Sequence, residues 1–156
     1  MRISNAYIIR VLLFMGALIF SSGVLMGHDR DFGVGIILGE PTGISFKFWT
    51  GTNSAFDAAT AWSIGNKKVF HLHMDYLRHS FGFTDVEKGK LPFYYGIGTR
   101  IKFEKDTRVG IRFPLGLEYI FEKAPLDIFL EVVPLLNLIP STDFDINASI
   151  GFRYYF

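Results

Sequence analysis

From residue 32 to residue 156, apolar and polar side chains alternate with a period of two, and no other feature restricts the fold as much. Neighbouring side chains of an extended strand point to opposite faces, so this period marks strands whose two faces meet different surroundings. In the last segment Phe144, Ile146, Ala148, Ile150, Phe152, Tyr154 and Phe156 oppose Asp145, Asn147, Ser149, Gly151 and Arg153. In another, Ile111, Phe113, Leu115, Leu117, Tyr119 and Phe121 oppose Arg112, Gly116, Glu118 and Glu122. A third sets Phe70, Leu72, Met74 and Tyr76 against His71, His73 and Asp75. No stretch of the mature chain sustains a helical period.

Turn clusters divide the alternating region into eight strands, expected at 32–40, 44–50, 54–64, 69–78, 92–104, 108–122, 126–138 and 144–156. The separators are rich in glycine, proline, asparagine and aspartate, as in Pro41-Thr42-Gly43, Gly51-Thr52-Asn53 and Pro140-Ser141-Thr142-Asp143. The composition agrees, with 17 Phe and 16 Gly among 156 residues. The chain has no Cys, which excludes disulfides, thiolate metal sites and a cysteine nucleophile.

Residues 1–27 have the layout of an export signal: Arg2 and Arg10, an apolar core from Val11 to Phe20, and small residues at Ser21-Ser22-Gly23. An uncleaved membrane helix is the alternative, but the unbroken apolar run is short for one. Residues 1–27 are therefore read as a signal peptide and 28–156 as one domain. Without Arg2 and Arg10 the remainder has 14 basic and 15 acidic residues, so nothing suggests nucleic-acid binding.

A water-soluble sandwich shows the same alternation with its apolar face inward, so periodicity alone does not set the facing. Three features turn the apolar face outward. Bulky aromatic and branched residues share one face, while the other mixes charge with glycine, as the narrow interior of a small barrel requires. Several strands approach the length of about 9–11 residues that a tilted membrane strand needs. Finally, with both termini on one side, Phe48, Phe56, Tyr76, Phe93, Phe121, Tyr154 and Phe156 fall at one level, as aromatics do at a lipid–water interface. The expected fold is all-β: a monomeric, eight-stranded, antiparallel up-and-down transmembrane β-barrel.

At this point the chain resembles the small outer-membrane barrels of the OmpA/OmpX type. The segments Gly33–Gly43, Phe113–Phe121 and Gly151–Phe156 also resemble a family of short bacterial outer-membrane-barrel-like proteins of unknown function, first recognised in spirochaetes. The resemblance covers the whole mature chain. It implies the bacterial outer membrane as location and outer-membrane lipid as surroundings. It also implies that the barrel-assembly machinery reads the C-terminal strand through Tyr154 and Phe156. The family has no established chemistry to carry over, and the chain is read as a non-enzyme with no cofactor. The chain departs from the pattern at residues 79–91, a long connection on the side expected to be periplasmic. The opposite loops are short and leave little to display, which argues against an adhesin.

By parity the interior receives Lys47, Asp57, His71, His73, Asp75, Arg100, Lys102, Arg112, Glu118, Asp127, Glu131 and Arg153. Their mixed signs suggest an ion-paired plug rather than a selective pore, and eight strands leave an interior only just filled by side chains. A structural or interaction role follows. A ligand-binding or narrow-channel barrel and an envelope lipid-modifying enzyme are the alternatives. His71, His73 and Asp75 share a strand face and could hold a metal, but no second ligand strand is identifiable, so they are read as interior lining. An acyl hydrolase would need Ser, His and acid together, and Ser63 is expected roughly opposite His71. No catalytic or metal residue is assigned. Pro114 and Pro134 interrupt the sixth and seventh strands, and hairpin geometry places Pro114 opposite about Val133. A β-bulge is expected there, and a lateral entry point for a lipid is the functional alternative.

Overall fold

The computed structural model of the protein describes residues 31–64, 68–82 and 84–156. The expected signal peptide lies outside them. Nine strands follow in order: β1 Phe32–Gly39, β2 Gly43–Trp49, β3 Ser54–Ile64, β4 Lys68–Ser80, β5 Phe93–Phe103, β6 Arg108–Arg112, β7 Leu115–Ile120, β8 Leu126–Ile139 and β9 Asp143–Tyr155. Each pairs antiparallel with its neighbours, and β9 returns to β1, from Gly33 opposite Tyr155 to Gly39 opposite Ser149. A last bond, from the Phe156 amide to the Phe32 carbonyl (3.0 Å), completes the seam. The sheet is thus a ring with no free edge, which satisfies its backbone groups and removes the template for edge-to-edge association.

Nine strands occupy eight positions in this ring, because the expected sixth strand is two. Pro114 has no N–H to give a ladder and splits the segment into β6 and β7, which both run between β5 and β8. The break is local. Arg112 faces Leu135 and Leu115 faces Val132, so the register is unchanged across it. The Phe113 amide donates to the Pro134 carbonyl (3.0 Å), and the Gly96 amide to the Pro114 carbonyl (2.9 Å). Pro134 stays within β8, opposite Ile146. The bulge expected at the prolines lies elsewhere: Val109 pairs Ile139 while Gly110 pairs Asn137, which leaves Leu138 as the extra residue.

The connections fall at two ends. One end holds both ends of the described chain, the 50–53 and 121–125 turns, and the long 81–92 connection. That connection is tied down by Lys90 and Ile120, whose backbones exchange two hydrogen bonds of 3.0 and 2.8 Å. The Tyr119 hydroxyl also donates to the Lys88 carbonyl (2.9 Å). The other end holds the short turns at 40–42, 104–107 and 140–142. The first of these is closed by Thr42, whose hydroxyl accepts from the Gly39 amide (3.1 Å), with Gly39 at a φ of +121°.

Glycine and aromatic residues share the interior as complementary shapes. A Cβ on Gly33 would lie 2.8 Å from the Tyr155 ring, one on Gly116 would strike the Tyr94 ring, and one on Gly151 the Phe129 ring. Each inward ring lies over a neighbouring strand where no side chain stands. Gly33→Val should therefore cost about 1–3 kcal/mol through overpacking. Because the nearest atoms there all belong to the Tyr155 ring, Gly33→Val combined with Tyr155→Ala should cost less than the two separate losses added together. Urea unfolding of the four proteins measures that coupling; strict additivity would refute the packing assignment.

Candidate functional site

The distribution of side chains is the reverse of a soluble core. Lys47, Asp75, Arg112, Glu118, Asp127 and Arg153 are each at most 1% accessible, whereas Ile97, Leu130 and Ile146 are more than half exposed. Among the strand residues whose side chains are described, Arg78 is the one charge on the outward rows, and it stands at a strand end.

Eleven of the twelve polar residues expected inside are buried there: Lys47, Asp57, His71, His73, Asp75, Arg100, Arg112, Glu118, Asp127, Glu131 and Arg153. Lys102 stands at the mouth with its side chain 32% accessible, 3.7 Å from Glu104. The structure also adds inward groups that the sequence reading passed over. His79 was expected in the connection because β4 was ended at Arg78; β4 runs to Ser80, and the parity of His71, His73 and Asp75 continues to it. Tyr94 and Phe129 sit on the charged parity too, and their facing was legible from that alone.

The buried charges form three groups along the ring. Near the end with the long connection, Lys47 Nζ donates to both Glu118 oxygens (2.5 and 2.6 Å) and lies 2.9 Å from His79 Nε2. Arg153 Nη2 donates to Glu118 (2.9 Å), its Nε to both Asp127 oxygens (3.1 Å each), and its Nη1 to Asp57. The Tyr155 hydroxyl donates to Asp127 (2.5 Å), and the Arg153 guanidinium lies 4.1 Å from the centre of the Phe129 ring. In the middle, Arg112 Nε donates to both Asp75 oxygens (3.0 Å each), and Glu131 accepts from Tyr94 (3.0 Å) and Ser149 (3.2 Å). Towards the other end, Arg100 donates to Asn137, whose amide donates to Asp143 (3.0 Å).

The register also corrects the Ser–His pairing. His71 faces Ala61, and Ser63 faces Val69, so the expected apposition of Ser63 and His71 does not occur.

Outside, the expected aromatics divide. Phe48, Phe56 and Tyr76 are direct register partners across β2, β3 and β4, and Phe32 and Phe156 extend the same row across the seam. Phe32 was missed because its level depends on pairing with Phe48. Phe93 lies opposite Leu117, Phe121 follows β7, and Tyr154 faces Val34 and Leu126. A second row, Trp62–Phe70–Phe103, was not anticipated; it stands six residues further along β4.

A cavity of about 1020 Å³ opens at the end with the long connection, between the 81–92 and 121–125 segments. Trp49 and Tyr155 reach it from the ring. Trp49 separates it from the Lys47–Glu118 pair, with Lys47 Nζ 4.2 Å from its ring and the His79 ring tilted against it at 4.4 Å.

No protein-family model matches the sequence, and no curated protein matches it. Among solved structures, the chain is similar to the N-terminal β-barrel domain of Pseudomonas aeruginosa OprF. The TM-score is 0.52 at 12% identity, over 80% of this chain and 95% of that domain. The likeness is one of fold, and it supports the OmpA-like barrel expected from the sequence. The resemblance to the short spirochaete-type family finds no matching model.

Arg153 ties carboxylates on β3, β7 and β8 to β9, so Arg153→Met leaves Asp57 and Asp127 without a cationic partner and Glu118 with Lys47 alone. We expect it to destabilise the barrel by about 3–5 kcal/mol. Arg108→Met, which removes a part-exposed partner of Glu104 at 3.0 Å, should change stability by less than about 1 kcal/mol. Equal midpoints in urea would remove the interior network from any account of stability.

Proposed function

We propose that the protein is an integral β-barrel of the bacterial outer membrane with a structural or interaction role and an interior closed by ion pairs. The observation that carries this reading is the reversed burial. Paired charges share the inside with a small apolar cluster around Ile37 and Leu77, while an apolar band faces out, larger than water-soluble monomers ordinarily expose. Lipid is the solvent in which such a band is favourable, and a closed sheet is the β-architecture that can enter it, since it has no open edge of unpaired backbone groups.

The two aromatic rows support the same reading. The six residue steps of β4 from Phe70 to Tyr76 span about 20 Å along the strand. An intervening band flanked by aromatic girdles is the arrangement of lipid-facing barrel walls. On this reading the C-terminal strand carries the address for the assembly machinery, and the barrel acts as a monomer.

The narrow-channel alternative draws on the cavity at one end. The ion pairs between Lys47, Glu118 and Arg153 stand across the route from it into the barrel. Those side chains fill the cross-section, so a closed barrel is the reading we retain. Stable single-channel steps in planar bilayers would replace it with the alternative.

Two measurements test the proposal. The native protein should fractionate with outer membranes and migrate on gels in a heat-modifiable way. Leu130 lies outward in mid-strand, so Leu130→Arg should cost about 2–4 kcal/mol and sharply reduce membrane yield, whereas Ser149→Ala should not. Equal yields of the two variants, or a native protein in the soluble fraction, would overturn the membrane reading.

A further inference from the structure

We propose that Asp57, His73 and Asp75 form a buried site for a single divalent transition-metal ion. The sequence places His73 and Asp75 on one strand face; the fold supplies the ligand from a second strand. Asp57 on β3 is the direct register partner of Asp75 on β4, and both point inward. His73 stands one inward step further along β4, opposite Ala59, a residue too small to cover it.

The donor atoms of the three residues all lie within 4.8 Å of one another. His73 Nε2 is 3.8 Å from Asp75 Oδ2. Metal–ligand bonds of about 2.0–2.2 Å in tetrahedral geometry put ligand atoms about 3.3–3.6 Å apart, so side-chain shifts of about an ångström complete the set. One imidazole and two carboxylates, with no thiolate, suit zinc and its harder neighbours in the first transition row rather than copper(I).

Independently of the carboxylates, His73 Nε2 points to a ligand. The His73 side chain is 1% accessible, yet this nitrogen has no hydrogen-bond partner among the described residues. Its ring partner is accounted for, because His73 Nδ1 lies 3.2 Å from His71 Nε2. When Nδ1–H donates to His71, the Nε2 lone pair is left facing the two carboxylates. Metal-ligating histidines are held in this way, with the second nitrogen fixed by an outer partner that sets the tautomer. His71, itself buried, therefore acts as a positioning residue rather than a ligand.

The charge balance leaves room for a dication. Lys47, Arg112 and Arg153 are the cations paired within the deep network, and they face Asp57, Asp75, Glu118, Asp127 and Glu131. With the histidines neutral, two negative charges remain. Arg100, the register partner of His73, does not supply the difference, because its guanidinium turns to Asn137, which is bound to Asp143. An ion at this site would join β3 to β4 where two carboxylates otherwise face each other, beside Arg112, which donates to both Asp75 oxygens, and Arg153, which donates to one Asp57 oxygen.

The site is tested on the folded full-length protein, made without a histidine tag, with His28→Ala as background and stripped with a chelator. Titration with Co²⁺ should show uptake of one equivalent with the visible absorption of a coordinated ion, displaced by Zn²⁺. His73→Ala should abolish that absorption and weaken binding at least about 100-fold, and His71→Phe should weaken it about 10- to 100-fold. His79→Ala removes an equally buried imidazole elsewhere and should leave the stoichiometry unchanged. Absence of stoichiometric uptake by the stripped protein overturns the proposal, as does binding that survives in folded His73→Ala. Should His73→Ala not fold, Cu²⁺ bound to the unmutated ring decides: coupling to one imidazole nitrogen in its electron paramagnetic resonance spectrum supports the site, and its absence refutes it.

Discussion

A buried guanidinium without carboxylates costs several kcal/mol, and Arg153 meets three of them. Its fork reaches Asp57 on β3, Glu118 on β7 and Asp127 on β8 from a position on β9, so one side chain links four strands through the interior. Lys47 joins Glu118 from β2, and Arg112 joins Asp75 and Glu131 from the break between β6 and β7. In a low-dielectric interior these contacts are strong when satisfied and expensive when not, which makes the network sensitive to the loss of any one partner. The ring is cross-linked by charge where a soluble domain would be cross-linked by apolar contact.

This choice of interior dictates the exterior. The cross-section of a small closed sheet has room for paired charges, for small residues and for a few rings laid over glycines, as Tyr155 lies over Gly33. The bulk of the aromatic and branched residues has no place inside and faces out, in rows set by register. An outward apolar wall is a liability in water and an asset in lipid, and the proposed location follows from that difference. The long 81–92 connection, docked on Ile120 and Tyr119, frames a cavity at one end without entering the charged interior.

Much of this was legible from period and parity. A side chain's face depends only on its odd or even position within a strand, so eleven of the twelve residues expected inside are buried there. Lys102 shares their parity but sits near a strand end, where parity no longer means burial. What parity does not carry is the register between strands. The level of Phe32 beside Phe48, the facing of Asp57 and Asp75, and the mismatch of Ser63 with His71 all depend on how neighbouring strands slide past each other. The bulge shows the same limit. Two prolines marked the obvious irregularity, yet the ladder bridges them without slipping and the extra residue is Leu138, which carries no local signal. His79 was lost to a strand boundary drawn two residues short.

The sequence by itself determined that the chain would form two-faced strands, how many positions they would fill, and which residues would share a face, because those properties follow from backbone geometry within one strand. Only the tertiary structure decided which carboxylates meet which arginines, and that His73 points an unpartnered nitrogen at two acids on neighbouring strands, because both depend on register between strands. Alternation has the same form whether the apolar side faces a core or a solvent of lipid. Closure of the ring breaks that symmetry, since the smaller, inner surface has room for paired charges and glycine and not for the aromatic face.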